Sequence, residues 1–253
     1  MTEKGRKRKM QSDVLKQIIE ITEKFSSEAG SFELGSDEVY IYNPLQYAWD
    51  MHRKYLELAA SHRIRVLFLG MNPGPFGMMQ TGVPFGEINA VKSYLKLDGE
   101  VGKPQREHPK RPVEGLMIKR SEISGKRLWG LFAERYPKCE DLFSEHTVFN
   151  YCPLGFLTGT KSAKNLAMDL LPAQERIRLE QSCDEYLSKV VRILEPKTLI
   201  GVGKYAEKKM ISLFGDGDYQ IFSIIHPSPG NPQANRDWDK KTAQKLFDFG
   251  VWR

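Results

Sequence analysis

The sequence predicts an α/β layered fold built on a mainly parallel sheet. Three observations carry that expectation. Four short apolar runs have the length and composition of buried strands, helical patterns alternate with them, and each run ends in a turn rich in Gly, Pro or Asn.

In chain order, residues 13–28 bring Val14, Ile18, Ile21 and Phe25 onto one helical face, with Asp13 placed as the N-cap. Asn43-Pro44 opens a second helix through Ala60, with proline in the first turn, where its missing N–H costs nothing. Residues 64–69 are too short for a helix and rich in strand formers, and residues 146–149, 198–202 and 219–225 read the same way. Helical patterns fill 172–194, stopped by Pro196, and then 203–214 and 239–249. Residues 71–126 show little apolar periodicity outside 88–97; a connection that long is usually functional or disordered. No repeat or linker divides the rest, so the sequence predicts a flexible basic arm over 1–12 and a single domain over 13–253.

Composition narrows the function classes. A chain of 253 residues, 40% hydrophobic and 28% charged, has the balance of an ordinary globular protein. No run reaches the ~18 apolar residues of a membrane span, and no apolar stretch follows the basic N-terminus as in a secretory signal. Cys139, Cys152 and Cys183 are too few for a disulfide framework and form no CxxC pair, so neither a metal nor a cofactor is expected, and a reducing intracellular compartment is. Most of the net charge of +6 is local. Lys4, Arg6, Lys7, Arg8 and Lys9 face only Glu3, as in a nuclear import signal, a nucleic-acid tether or simply a solvated end. A second basic stretch, with Lys103, Arg106, Lys110, Arg111, Lys119 and Arg120 against Glu107 and Glu114, fits a polyanion partner.

The chemistry lies beyond the strands. The four runs lead into Gly70-Met71-Asn72-Pro73-Gly74, Asn150-Tyr151-Cys152-Pro153, Gly201-Val202-Gly203-Lys204 and His226-Pro227-Ser228-Pro229-Gly230-Asn231. Ligands of open α/β sheets bind at the carboxyl ends of the strands, so Asn72, Asn150 and His226 are expected to meet at one mouth. Taken singly, an Asn beside Pro or Gly is most often a turn residue and a His after a strand most often structural. Two amides and an imidazole held by stiff Pro/Gly segments are suited to reading a planar molecule with donors and acceptors, such as a pyrimidine. Gly203-Lys204 is a fragment of a phosphate loop without its full spacing or its Ser/Thr.

The stretches GMNPGPFGMMQTGVPFG (70–86) and HPSPGNPQAN (226–235) closely resemble the two signature motifs of the single-strand-selective monofunctional uracil-DNA glycosylases, a branch of the uracil-DNA glycosylase superfamily. The likeness covers roughly residues 40–250 and includes YNPLQYAWD, EHPKRPVEG, NYCPL, KNL and IGVGKYAE. It implies a three-layer α/β/α domain around a four-stranded parallel sheet, and removal of uracil and some 5-oxidised uracils from DNA. By the same likeness Asn72 positions the attacking water, His226 stabilises the departing base, Asn150 hydrogen-bonds the flipped uracil and Phe85 stacks on it. Met71 and Gly74 match residues lining the pocket. Relatives commonly carry Arg after HPSP, in a loop wedged into the duplex; here that position is Gly230.

Two loops are expected to hold DNA: the proline-stiffened 227–233, with Pro227, Ser228, Pro229, Gly230 and Asn231, and 160–165, with Lys161, Ser162, Lys164 and Asn165. With Glu87 the only acid at the first motif and no lysine in either, a dissociative hydrolysis without a Schiff base is expected, leaving an intact abasic site. An iron–sulfur relative needs four cysteines and does not fit. A DNA-binding module without catalysis fits poorly, since both Asn72 and His226 are present. The remaining expectations are a monomer acting in the nucleus on single- and double-stranded DNA.

Overall fold

In the computed structural model, residues 3–30, 32 and 39–253 are described, with side chains from residue 11 onward. The elements are α1 (Glu3–Gly30), β1 (Val39–Tyr42), α2 (Pro44–Tyr47), α3 (Trp49–Ala59), β2 (Val66–Gly70), α4 (Met78–Thr81), α5 (Ile123–Arg135), α6 (Cys139–Phe143), β3 (His146–Asn150), β4 (Gly155–Thr158), β5 (Asn165–Leu166), α7 (Ala173–Leu194), β6 (Thr198–Val202), α8 (Lys204–Phe214), β7 (Gln220–Ile224) and α9 (Trp238–Asp248).

The four expected strands form one parallel sheet in the order β3-β2-β6-β7. Every residue of β2, β3 and β6 is buried, as a parallel sheet covered on both faces requires. The register shows which helix covers which face. Phe68 pairs with Ile200 and packs edge-on against Phe132 of α5, with ring centroids 5.0 Å apart. Leu69 pairs with Gly201, on the opposite face, where a Cβ on Gly201 would lie 2.5 Å from the Glu207 backbone nitrogen of α8. Helices α5 and α8 therefore cover opposite faces, and the architecture is the expected three layers. On the α8 side, α7 joins through Tyr205, whose hydroxyl donates to Glu180, and α1 packs on α7 through Phe25 and Tyr186.

Several elements were not legible in advance. Strands β1, β4 and β5 make a small antiparallel sheet, order β1-β4-β5, which the expected elements did not include. Helix α1 starts at Glu3, not at Asp13, and takes in the basic residues assigned to an arm. The long segment 71–126 is irregular but anchored. Gln80 donates to the carbonyls of Pro75 and Pro112 and accepts from the Glu114 N–H, fastening the segment across its own length. No helix among the described residues is long and apolar enough to cross a membrane.

Candidate active site

The parallel ladder continues past its strands and so sets the site. Gly70 pairs with Asn150 at the last register position; beyond it the Tyr151 N–H donates to Gly70 O at 2.8 Å and the Cys152 N–H to Met71 O at 2.9 Å. On the other side Gly203 N–H donates to Ile224 O at 3.0 Å. The first two bonds extend the β2–β3 pairing and the third the β6–β7 pairing, the β2–β6 ladder joins the two pairs, and Asn72, Asn150 and His226 all line one cavity of about 320 Å³ at these strand ends. The expected meeting of the three side chains is what the structure shows.

Each wall has a local cause. Asn72 is held by segment 165–168: its Nδ2 donates to Leu166 O at 3.2 Å and its Oδ1 accepts from Met168 N–H at 3.3 Å. One lone pair of that oxygen remains for a further donor such as water. Asn150 is buried, with its amide against Met78 Sδ at 3.2 Å. Phe85 has φ of +52°, which costs a bulky residue about 1–3 kcal/mol. Trp129 offsets this by donating to Phe85 O at 3.0 Å, and the Glu87 N–H donates to the same oxygen at 2.7 Å. Two glycines permit the arrangement. A Cβ on Gly70 would fall 2.5 Å from Asn150 Oδ1 and 2.6 Å from Phe85 Cε2, and one on Gly125 would fall 1.9 Å from Phe85 O.

His226 is set by hydrogen-bond direction. Its Nδ1 accepts from the Ser228 N–H at 3.1 Å, so the neutral ring carries its proton on Nε2 as a donor. Burial lowers the imidazole from its usual 6.5 to about 4, so the ring is neutral at physiological pH. Arg127 of α5 holds the loop by donating to Pro227 O at 2.7 Å. Gly203, at φ of +100°, would bring a Cβ within 3.1 Å of His226 Cβ, and Lys204 pairs with Glu207 at 2.6 Å. The phosphate-loop fragment is therefore a packing surface for the histidine beside a surface ion pair.

Of the other expected residues, Gly74, Phe85, Asn165, Ser228 and Pro229 line the cavity, whereas Met71, Pro227, Gly230, Asn231, Lys161, Ser162 and Lys164 do not. Met71 offers its carbonyl to Cys152 while its neighbour Asn72 faces the cavity. Asn231 turns back on its own loop, accepting from the Gln233 N–H and donating to His226 O at 3.4 Å. Lys161, Ser162 and Lys164 are exposed on the β4–β5 turn. Glu87 caps a helical turn by accepting from Ala90 N–H at 2.9 Å.

The sequence reading missed Glu122. It N-caps α5 by accepting from the Gly125 N–H at 2.6 Å, and its Oε1 lies 3.7 Å from where a Cβ of Gly74 would be. Burial pushes its carboxyl upward, against hydrogen bonds from Gly125 and Ser124 that draw it down. Glutamate is not among the usual N-cap residues, so the helix start at Ile123 carried no familiar signal. Phe76, Met78, Arg120, Ser121 and Ser124 also line the cavity. Among the described residues, no group of three or more His, Cys, Asp and Glu side chains is placed to hold a metal ion.

Fold and cavity define an α/β protein with a pocket of amide, imidazole and aromatic side chains at the carboxyl edge of a four-stranded parallel sheet. Residues 59–247 match the family model of the uracil DNA glycosylase superfamily. A solved structure, wild-type Pedobacter heparinus SMUG2, shares the fold with a TM-score of 0.65 at 17% identity, covering 91% of this chain and 97% of that one. Similar proteins include the single-strand selective monofunctional uracil-DNA glycosylases of Rattus norvegicus and Mus musculus, both 43% identical over 213 residues, 83% of this chain and 76% of theirs. The Bos taurus protein of that name is 43% identical over 215 residues, 83% of this chain and 78% of its own. The chain belongs to the family of single-strand-selective monofunctional uracil-DNA glycosylases.

Proposed function

We propose that the chain extrudes uracil from DNA and hydrolyses its N-glycosidic bond, leaving an intact abasic site. The observation that carries this reading is the neutral imidazole of His226 in one cavity with Asn72, Asn150 and Phe85. A base stacked in a duplex is out of reach, so it must leave the helix at a cost of a few kcal/mol, less from a single strand. Stacking on Phe85 returns about 1–3 kcal/mol of that. As the bond breaks, positive charge grows on the sugar and negative charge on uracil. A hydrogen bond from His226 Nε2–H strengthens as that charge develops and so lowers the barrier, by roughly 1.5–3 kcal/mol for a charged partner. Asn72 is an amide and orients water without taking its proton, which favours departure of the base before attack by water.

Finer features of the reading follow from the same site. A Cβ at Gly74 would meet nothing closer than Glu122 Oε1 at 3.7 Å, which leaves room for 5-substituted uracils such as 5-hydroxymethyluracil. The loops around Ser228–Pro229 and Lys161–Lys164 flank the cavity and are proposed to hold single- or double-stranded DNA. The N-terminal basic cluster supports action in the nucleus, and a monomer suffices because one chain supplies the whole cavity. The test is incubation with uracil-containing oligonucleotides. Release of free uracil with strand cleavage only after alkali supports the reading. Borohydride trapping of a covalent adduct contradicts it, as does the absence of free base.

A further inference from the structure

The second basic stretch remains outside the chemistry described so far, yet the fold brings it to the cavity. His108 Nε2 donates to Thr160 O at 3.1 Å and Arg111 Nη2 to Ser162 O at 3.4 Å. Segment 103–120 is thereby joined to the β4–β5 turn that carries Lys161 and Lys164. At the rim, Phe76 and Arg120 both line the cavity. The Arg120 guanidinium lies 3.8 Å from the centroid of the Phe76 ring, and Arg111 lies 5.3 Å from it.

Some surface cations are neutralised by ion pairs, among them Lys103 of this same stretch, whose Nζ lies 3.3 Å from Glu107. Lys54, Arg63, Arg65, Lys189 and Lys204 each sit against a carboxylate. Among the described residues, Lys110, Lys119, Arg120, Lys161 and Lys164 have no carboxylate at ion-pair distance, and all five are exposed. Unpaired cations grouped beside a cavity repel one another and are relieved by a polyanion. Stacking on Phe76 holds the Arg120 plane while the edge of the fork stays free for a phosphate, so little side-chain entropy remains to be lost on binding.

We infer that Phe76 and Arg120 form a phosphate-gripping rim, with Lys110, Lys119, Lys161 and Lys164 extending it as a track for a single DNA strand. Arg120 takes a phosphate next to the extruded nucleotide, and Arg111 ties the two basic segments together. This rests on the proposed function and adds the residues that hold the strand.

The experiment measures binding of a single-stranded oligonucleotide carrying non-cleavable 2′-fluorinated deoxyuridine, across 50–200 mM salt. It compares the wild type with Arg120→Ala, Arg120→Lys and a control, Lys197→Ala, at the opposite end of the sheet just before β6. Loss of one phosphate contact makes the slope of log affinity against log salt shallower by about 0.7. The expected result is that shallower slope with roughly fivefold weaker binding for Arg120→Ala. Arg120→Lys keeps the slope, because the charge remains, and Lys197→Ala changes neither quantity. A slope for Arg120→Ala equal to that of the wild type overturns the rim, whatever happens to affinity, since a merely structural defect weakens binding equally at every salt concentration. Uracil release by the wild type in that case leaves the proposed function standing; its absence removes the function instead.

Discussion

Gly70→Ala is the smallest change that strikes the site without removing any functional group. The added Cβ would sit 2.5 Å from Asn150 Oδ1, 2.6 Å from Phe85 Cε2 and 2.7 Å from Phe85 Cζ. Carbon atoms pack best at about 3.5–4.0 Å, so ring and amide must retreat by nearly 1 Å. Neither can do so freely: Phe85 is fastened through its carbonyl to Trp129 and packed on Gly125, and Asn150 sits at the end of a buried strand. Overpacking of this kind costs about 1–3 kcal/mol of stability. Displacing binding groups by about 1 Å costs on the order of a hundredfold in rate. The assay is single-turnover uracil release from an oligonucleotide, alongside urea unfolding. Gly74→Ala, in the same loop, is the matched control, because its Cβ meets only Glu122 Oε1 at 3.7 Å and stability should hold. If Gly70→Ala keeps its rate within threefold of the wild type, the close packing of Phe85 and Asn150 is not what shapes the site.

Three further outcomes are expected. With His226 lowered to about 4, kcat/KM stays level from neutral pH down to about pH 5 and falls only near 4; an acid limb at 6.5 refutes a neutral donor. Burial also lowers His52 and His146 to about 4, so between pH 6.5 and 4 the unfolded chain binds protons that the native state does not. Stability therefore falls with decreasing pH through that window, by roughly 3 kcal/mol per histidine, and His52→Gln should flatten the decline in urea midpoints. Gly230 is exposed, and a Cβ there meets nothing closer than Ser228 Oγ at 3.5 Å, so Gly230→Arg is tolerated and should tighten binding to duplex DNA severalfold. Unchanged duplex affinity in a gel-shift titration counts against a DNA-facing loop.

The central sheet was readable because its strands are buried on both faces, and such strands appear as continuous apolar runs like Val66–Leu69. Strands β1, β4 and β5 were hidden for the opposite reason. They are two to four residues long, and their pairing is decided by tertiary contacts such as the Tyr42–Gly155 register. The convergence of Asn72, Asn150 and His226 followed from topology alone, since parallel strands deliver all their carboxyl ends to one edge. What could not be read was the supporting shell. Gly70, Gly125 and Gly203 matter through atoms distant in sequence, and Glu122 reaches the cavity only because α5 begins there. The basic stretch was visible as charge, but its place at the rim depends on Phe76 and on bonds to Thr160 and Ser162.

The most direct measurement is the single-turnover rate of uracil release by Asn72→Ala and His226→Leu beside the wild type, with circular dichroism to establish folding. The account predicts that both fold normally, that His226→Leu slows release about ten- to a hundredfold, and that Asn72→Ala slows it as well. A folded variant of either kind that releases uracil at the wild-type rate contradicts it.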